Sequence, residues 1–265
     1  MRRRGIFPAL ALAGVLGAGL AAEAIQAQPQ QPEANPGRPT VSTPATLTPV
    51  GYLQLESGFT GAAHSPEFSS RNSFNEVAKL ALTPRFELLA SAEPVVQYTA
   101  AGMRRDRVGG LSLGGQAVLH HGEGAKPTLA ASYFHSVYDG GAADFDVGSP
   151  TNSAILLASG DVHRFHYDAN IFLSERTQGK VRRAQHGQSL SLAHGLGHRI
   201  TLSGEMWRFT QPFLRGRAAG ALGAVAYSAS KTLVFDAGVN RGLSVTSTRW
   251  EMFLGCTYLL PRRLW

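Results

Sequence analysis

Alternating apolar and polar residues fill roughly the last two hundred positions of this 265-residue chain, which ends on an aromatic residue, Trp265. Such alternation gives a β-strand one apolar and one polar face. A soluble sheet hides its apolar face in a core, whereas a membrane barrel turns it toward lipid around a polar interior and needs about ten residues per strand. The pattern therefore predicts an all-β fold, a transmembrane antiparallel up-and-down β-barrel.

Twelve candidate strands can be marked from residue 52 onward, and the connections between them are alternately long and short. This alternation is typical of outer-membrane barrels, which have short periplasmic turns and longer extracellular loops. An even number of strands returns both chain ends to the periplasmic side. The predicted strands are 52–59, 74–82, 85–97, 108–120, 128–138, 153–159, 162–175, 185–193, 199–209, 218–227, 231–241 and 248–260.

The N-terminal region predicts export. Residues 1–24 have the basic start, the apolar run and the small residues of a secretory signal peptide, with an alternative cleavage after Ala27. We expect the Sec route, since a membrane barrel must leave the cytoplasm unfolded, and the cell outer membrane as destination. Residues 28–49 hold six of the fourteen prolines and predict a disordered or extended periplasmic leader. The barrel itself is predicted over residues 50–265.

Composition narrows the functional classes. The single cysteine, Cys256, allows no internal disulfide and no thiol metal site. The chain is basic, with a formal net charge of +7, but its basic runs lie between strands without an interleaved aromatic platform, so we expect no nucleic-acid partner. We expect these runs to contact lipopolysaccharide phosphate instead. The predicted lipopolysaccharide-contact residues are Arg104, Arg105, Arg107, Lys180, Arg182 and Arg183.

The period-two pattern also predicts which side chains face the lumen. Charged side chains cannot face hydrocarbon cheaply, so the polar members of each strand are assigned to the interior. In residues 165–173, for example, Phe165, Tyr167 and Ile171 would face lipid. The predicted lumen-lining residues are Glu56, Lys79, Glu87, Glu93, Arg164, His166, Asp168, Asn170, Glu205, Asp236, Asn240 and Glu251. They either line a solute path or form a polar ladder that rigidifies the barrel.

Four segments together resemble a known family. VGGLSLGG at 108–115, SGE at 203–205, LVFDAGVNRGL at 233–243 and FLGCTY at 253–258 are similar, in order and spacing, to outer-membrane barrels described as transporters of the MetA phenol-degradation pathway. The resemblance spans roughly residues 50–260 and implies a barrel that admits small, often aromatic, hydrophobic compounds. The chain has Gly110 where such proteins commonly carry an acid, and its end, PRRLW, is unusual.

The sequence leaves several functions open. We expect a monomeric barrel that passively transports small solutes, aromatic or hydrophobic compounds among them, and that is assembled through its C-terminal strand by the barrel assembly machinery. The alternatives are an occluded structural or binding barrel with basic loops on lipopolysaccharide, a barrel lipase or deacylase, and a soluble sandwich or lipocalin-like barrel. No motif places a nucleophile beside a base and its orienting group, so we expect no catalytic residue, cofactor or metal.

Overall fold

The computed structural model describes residues 32–214 and 216–265 and contains thirteen β-strands in that part of the chain. No helix in the described ranges is long and apolar enough to cross a membrane. The strands are β1 Leu53–Ala63, β2 Ser70–Thr83, β3 Phe86–Ala100, β4 Met103–Arg107, β5 Leu111–His120, β6 Thr128–Tyr138, β7 Ser149–Val162, β8 Phe165–Gln178, β9 Val181–Leu196, β10 Ile200–Thr210, β11 Arg217–Ser230, β12 Leu233–Gly242 and β13 Trp250–Leu259.

Twelve of these strands form one closed antiparallel barrel. Each barrel strand pairs with its neighbours in the chain, and β1 pairs with β13 from Gln54 opposite Leu259 to Ala63 opposite Trp250, which closes the cylinder. The remaining strand, β4, pairs only with the far end of β3. The predicted twelve-strand barrel is therefore confirmed, and β4 is an addition. It was missed because its exposed, charged sequence, MRRDR, has no alternating pattern.

The two rims of the barrel differ. One rim, here the terminal rim, carries the start of β1, the end of β13 and short connections such as residues 84–85, 163–164 and 231–232. The opposite rim, here the loop rim, carries residues 64–69, the β3–β4 hairpin, residues 139–148 and residues 243–249. In bacterial outer-membrane barrels the short turns face the periplasm and the long loops face outward.

Side chains alternate between the outer and the inner face of the barrel, as the period-two pattern of the sequence predicts. Phe165, Ile171 and Leu173 of β8 are exposed on the outer surface, whereas Asn170 between them is buried inside. On β12, Phe235 and Val239 point outward and Asp236 and Asn240 are buried. The apolar belt therefore faces outward and the polar residues face the interior, the inverse of a soluble sheet.

Candidate functional site

Four carboxylates project from separate strands into the lumen. Glu56, Glu87, Glu205 and Asp236 lie on β1, β3, β10 and β12, and none is more than 6% exposed. All four were predicted to face inward. Buried carboxylates need hydrogen-bond donors or cations to offset the loss of water. In this barrel most of those donors come from the N-terminal segment.

Residues 32–49, here called the plug segment, lie inside the barrel rather than in the periplasm. We expected residues 28–49 to be a periplasmic leader; residues 28–31, like the predicted signal peptide 1–24, lie outside the described residues. The structure places the plug segment, residues 32–49, against inward-facing side chains of β1, β3, β5, β7, β8, β9, β10 and β12. The physical reason is that its backbone N–H groups have no sheet partner and find acceptors on the wall. The segment therefore occupies the terminal-rim half of the lumen.

Glu205 is the most heavily used anchor. Its two carboxylate oxygens accept hydrogen bonds from the backbone N–H of Val41 at 2.7 Å, the backbone N–H of Ser42 at 2.6 Å and the hydroxyl of Ser42 at 2.6 Å. The Ser42 hydroxyl also lies 2.7 Å from that of Ser189 on β9. Hydrogen bonds to an ionised acceptor are about twice as strong as neutral ones. This carboxylate therefore holds the middle of the plug segment.

A second anchor joins the plug segment to β1 and β2. Glu56 accepts from the backbone N–H of Gly37 at 2.9 Å and forms an ion pair of 2.6 Å with Lys79. Gln54 donates to the carbonyl of Asn35 and accepts from its backbone N–H. Because Gly37 has no side chain, its backbone can approach this ion pair; a Cβ there would meet the Lys79 ammonium at 2.6 Å.

The only cation of the plug segment, Arg38, reaches Asp236 with two contacts of 3.4 Å. Its side chain lies across Gly58 on β1 and Gly255 on β13, which pair directly with each other. A Cβ at either glycine would collide with the Arg38 side chain. The two glycines therefore make the flat wall on which the guanidinium rests.

The remaining anchors follow the chain around the wall. Asn170 accepts from the backbone N–H of Thr43 at 2.6 Å and donates to its carbonyl. Ser159 accepts from the backbone N–H of Ala45 at 2.7 Å. Further contacts come from Gln116, which donates to the carbonyl of Pro44, and from Glu87, which accepts from Thr48.

Residues 139–148, here called the inward loop, partly close the loop-rim half of the lumen. Arg176 of β8 forms an ion pair of 2.6 Å with Asp144 and also donates to the carbonyls of Asp146 and Gly148. Arg71 of β2 donates to the carbonyl of Ala143 and lies 4.7 Å from the ring centroid of Phe145. Two wall arginines therefore hold this loop over the barrel.

An apolar cluster seals the same end. Phe145 of the inward loop packs edge-on against Phe68, with 5.9 Å between ring centroids. Val96 and Tyr98 of β3 are buried in the same cluster. Nearby, burial raises the pKa of the Glu67 carboxyl above its ordinary value, an effect that Asp144 increases and Arg176 opposes. The loop is therefore closed by packing as well as by charge.

Between the plug segment and the barrel wall lies a cavity of about 370 Å³. Its wall combines apolar side chains with hydroxyls contributed by neighbouring strands, and its floor is formed by the plug segment through residues such as Arg38 and Pro44. The wall residues include the apolar Val77, Leu89, Phe134, Ile155 and Phe172 and the hydroxyls of Ser91, Ser112, Ser132, Ser153 and Ser174, and Glu56, Lys79, Glu87, Gln116 and Pro150 line the cavity as well. A compartment of this kind fits a small solute with an apolar body and a polar group.

A second cavity of about 330 Å³ lies on the terminal-rim side, between the plug segment and strands β8–β12. His166, Asp168 and Ser191 line it, and Arg38 and Pro44 line it as well. Both cavities therefore share a wall of the plug segment. Removal of that segment would join them.

The other predicted lumen residues are placed as follows. Glu93 lies near the loop rim and accepts from Arg71 at 2.6 Å, and Glu251 pairs in register with Asn240. Asn240 accepts from the indole N–H of Trp207 at 2.9 Å. The prediction for Arg164 was wrong: this residue is exposed in the turn between β7 and β8, because β8 begins only at Phe165.

The six predicted lipopolysaccharide-contact residues all lie at the loop rim and are exposed. Arg104, Arg105 and Arg107 lie on β4, and Lys180 lies in the turn before β9. Arg182 lies 3.6 Å from Glu175, and Arg183 donates to the carbonyl of Pro212 at 2.6 Å. Contact of these six residues with lipopolysaccharide stays a prediction.

Sequence reasoning missed three arginines. Arg38 belongs to the plug segment and contacts Asp236 on the wall, whereas Arg71 and Arg176 are wall residues that contact the inward loop. For Arg71 and Arg176 a signal existed, because alternation with Ser73 on β2 and with Asn170 on β8 assigns both to the inner face. For Arg38 none existed, since it lies outside every strand. Within the described ranges, no group of three or more His, Cys, Asp or Glu side chains is placed to hold a metal ion.

Comparison with known proteins supports the fold. No protein-family model matches the sequence, and a comparison with curated proteins finds no match. Among solved structures, an outer membrane channel from Pseudomonas putida matches with a TM-score of 0.58 at 14% identity, over 82% of this chain and 98% of that one. The NanC porin matches with a TM-score of 0.53 at 6% identity, over 78% and 98%. Both similarities show a shared barrel fold.

Proposed function

We propose that this protein is an outer-membrane channel that passively admits small solutes and that the plug segment closes it at rest. The observation that carries the proposal is the pair of cavities separated by residues 38–44 of that segment. A barrel that served only as a scaffold would have no need of two compartments divided by a few residues of chain. The two structural neighbours described as a channel and a porin support the proposal at the level of fold.

We assign the solutes to small compounds with an apolar or aromatic body and a polar group. The support is the lining of the larger cavity, where Val77, Phe134 and Phe172 lie among serine hydroxyls. The resemblance to barrels of the MetA phenol-degradation pathway agrees with that class. The proposal needs no chemical step, because movement down a concentration gradient requires only a shaped passage.

A second candidate function rests on the completeness of the plug. Glu205 alone accepts three hydrogen bonds from the segment, and the segment touches eight strands. A permanently occluded barrel that binds lipopolysaccharide through its basic loops would show the same contacts. The two functions differ in whether removal of the segment creates a passage.

The test is current across a planar bilayer. The chain from residue 28 onward is compared with a variant that lacks residues 33–47, and heat-modifiable migration on a gel shows that both are folded. We expect rare openings of the whole chain, steady conductance of the variant and partial block by added phenol. Silence from the folded variant, and also from a folded deletion variant that carries Arg176→Gln to loosen the inward loop, would contradict the channel and favour the occluded barrel. Conductance that phenol leaves unchanged would contradict the assigned solute class.

A further inference from the structure

A basic cluster lies on the outer surface of the barrel, near the loop-rim ends of β9, β10 and β11. His186, Arg208 and Arg217 are exposed there, and each alternates with an inward residue of its strand. Register places them side by side: Arg208 is opposite Gln188, and Arg217 is opposite Thr210. Thr210 in turn accepts a hydrogen bond from the backbone N–H of His186 at 2.9 Å. These side chains therefore converge from three neighbouring strands.

The cluster has cationic groups that the protein does not neutralise. Within residues 32–214 and 216–265, no carboxylate lies within ion-pair distance of Arg208 or Arg217. The wall arginines of the lumen, by contrast, are paired with Asp144, Asp146 and Glu93. An outward-facing arginine close to hydrocarbon is costly unless an anion compensates its charge.

The cluster lines a shallow groove on the outer surface. The groove has a volume of about 320 Å³, and the outward-facing Ile171 lies in it beside the basic side chains. Directly toward the terminal rim, the outer surface continues with exposed Leu190 on β9 and Met206 on β10. The basic groove is therefore next to the lipid-facing apolar belt, one outward-facing residue away along each strand.

We propose that this basic groove binds a phosphate of lipid A in the outer leaflet, with the acyl chains lying along Ile171, Leu190 and Met206. The inference rests on the proposed outer-membrane location, and it goes beyond the channel function. Two guanidinium groups and an imidazole supply the donors that a phosphate monoester accepts. The adjoining apolar surface is what distinguishes a lipid from a free anion.

The structure favours this groove over the arginines predicted from sequence. Arg104, Arg105 and Arg107 lie on β4, which pairs only with β3 at the rim and is not part of the cylinder. Arg183 is already engaged with Pro212 and Phe213. The cluster on β9–β11 combines two arginines that have no ion pair within the described ranges with an apolar surface beside them.

The test is native mass spectrometry of the whole folded chain titrated with hexa-acylated, bisphosphorylated lipid A. The groove variant is Arg208→Gln with Arg217→Gln, and the matched control is Arg104→Gln with Arg105→Gln, which removes the same charge from β4. We expect the groove variant to bind at least about tenfold more weakly, since a basic residue at the membrane surface contributes about 1 kcal/mol to anionic lipid binding. We expect the control to bind as the unaltered chain does.

Further ligands separate the lipid from its headgroup. Lipid A without phosphates should bind weakly to all three proteins, and excess inorganic phosphate should compete poorly because it lacks acyl chains. Equal weakening of the control and groove variants would overturn the proposal in favour of diffuse electrostatics. Unchanged binding by a groove variant that shows normal heat-modifiable migration would also overturn it. Full competition by inorganic phosphate would show a free-anion site and contradict the lipid assignment.

Discussion

The two closures of the lumen are built from opposite chemistry. At the terminal rim, the wall supplies carboxylates and the plug segment supplies backbone N–H groups and one arginine, as at Glu205 and Asp236. At the loop rim, the wall supplies Arg71 and Arg176 and the inward loop supplies carboxylates and carbonyls. The wall side chains that hold the two segments therefore differ in sign, with carboxylates holding the plug segment and arginines holding the inward loop.

This difference shows which of the two closures depends more on polar contacts and which is also held by apolar packing. The inward loop is also held by the packing of Phe145 against Phe68 and Arg71, so part of its stability is independent of ion pairs. The plug segment has few large apolar side chains and relies on polar contacts; Ala45 and Leu47 join a wall cluster with Val118 and Leu157. We expect polar substitutions to loosen the plug segment more than the inward loop.

The largest expected effect is on ion selectivity. Without residues 33–47, the terminal-rim half would expose Glu56, Glu87, Glu205 and Asp236, with Lys79 as the cation beside them. We expect the resulting channel to prefer cations, because rings of acidic side chains attract them. The measurement is the reversal potential in a salt gradient. In the same deletion background, Asp144→Asn with Asp146→Asn removes both ion-pair partners of Arg176 and should reduce the preference. A deletion channel that prefers anions would contradict the comparison.

A smaller effect is expected for Glu205→Gln in the whole chain. The amide keeps the size of the carboxylate but removes its charge, which weakens three hydrogen bonds and should cost about 1–3 kcal/mol of plug binding. We expect the open probability in a planar bilayer to rise about tenfold or more. The matched control is Glu251→Gln, because Glu251 faces inward but makes no hydrogen bond to the plug segment. Equal increases in both variants would indicate general destabilisation instead.

At the other closure, Arg176→Gln should loosen the inward loop while leaving conductance low. The substitution removes the ion pair with Asp144, whereas the plug segment and its anchors are untouched. We expect faster hydrogen exchange over residues 139–148 and little change in open probability. If conductance rose as much as in Glu205→Gln, the inward loop rather than the plug segment would be the main barrier.

The smallest effect concerns pH. Glu67 has a raised pKa in the closed loop, so its ionised form opposes closure, chiefly through burial and also through repulsion by Asp144. As the pH falls through this raised pKa, Glu67 takes up a proton and the closed loop gains stability. We therefore expect slower hydrogen exchange of residues 139–148 at mildly acidic than at neutral pH, corrected for intrinsic rates. Glu67→Gln should abolish the difference, and an opposite trend in the unaltered chain would refute it.

Much of the barrel could be predicted from sequence. Period two identified the twelve strands and correctly assigned inward residues such as Glu87, Asn170 and Asp236, since lipid contact imposes the pattern on every strand. Strand ends were predicted less well: β7 runs from Ser149 to Val162, beyond the predicted 153–159. Polar residues near its two ends, such as Asn152 and Asp161, interrupt the alternating pattern.

The two closures could not be predicted, for a different reason. The plug segment binds largely through backbone N–H groups of residues such as Gly37, Ser42 and Ala45. Because every residue except proline has this group, its use cannot be inferred from the residue type. The inward loop was expected as a loop, but its direction depends on Arg71 and Arg176, which lie far from it in sequence. Pairings of this kind are set by tertiary structure rather than by local pattern.

The most direct test of the account is a disulfide between the plug segment and the wall. The backbone N–H of Ala45 donates to the Ser159 hydroxyl at 2.7 Å, so Ala45→Cys with Ser159→Cys, in a Cys256→Ala background, puts the two thiols on contacting residues of the plug segment and the wall. Ala45→Cys with Ser203→Cys is the control, since Ser203 does not contact Ala45. We predict that the first pair crosslinks readily in native outer membranes, seen by mass spectrometry, and that oxidation abolishes openings in a bilayer until a reductant is added. Equal crosslinking of both pairs, or openings that persist after complete oxidation, would contradict a plug segment fixed inside the barrel.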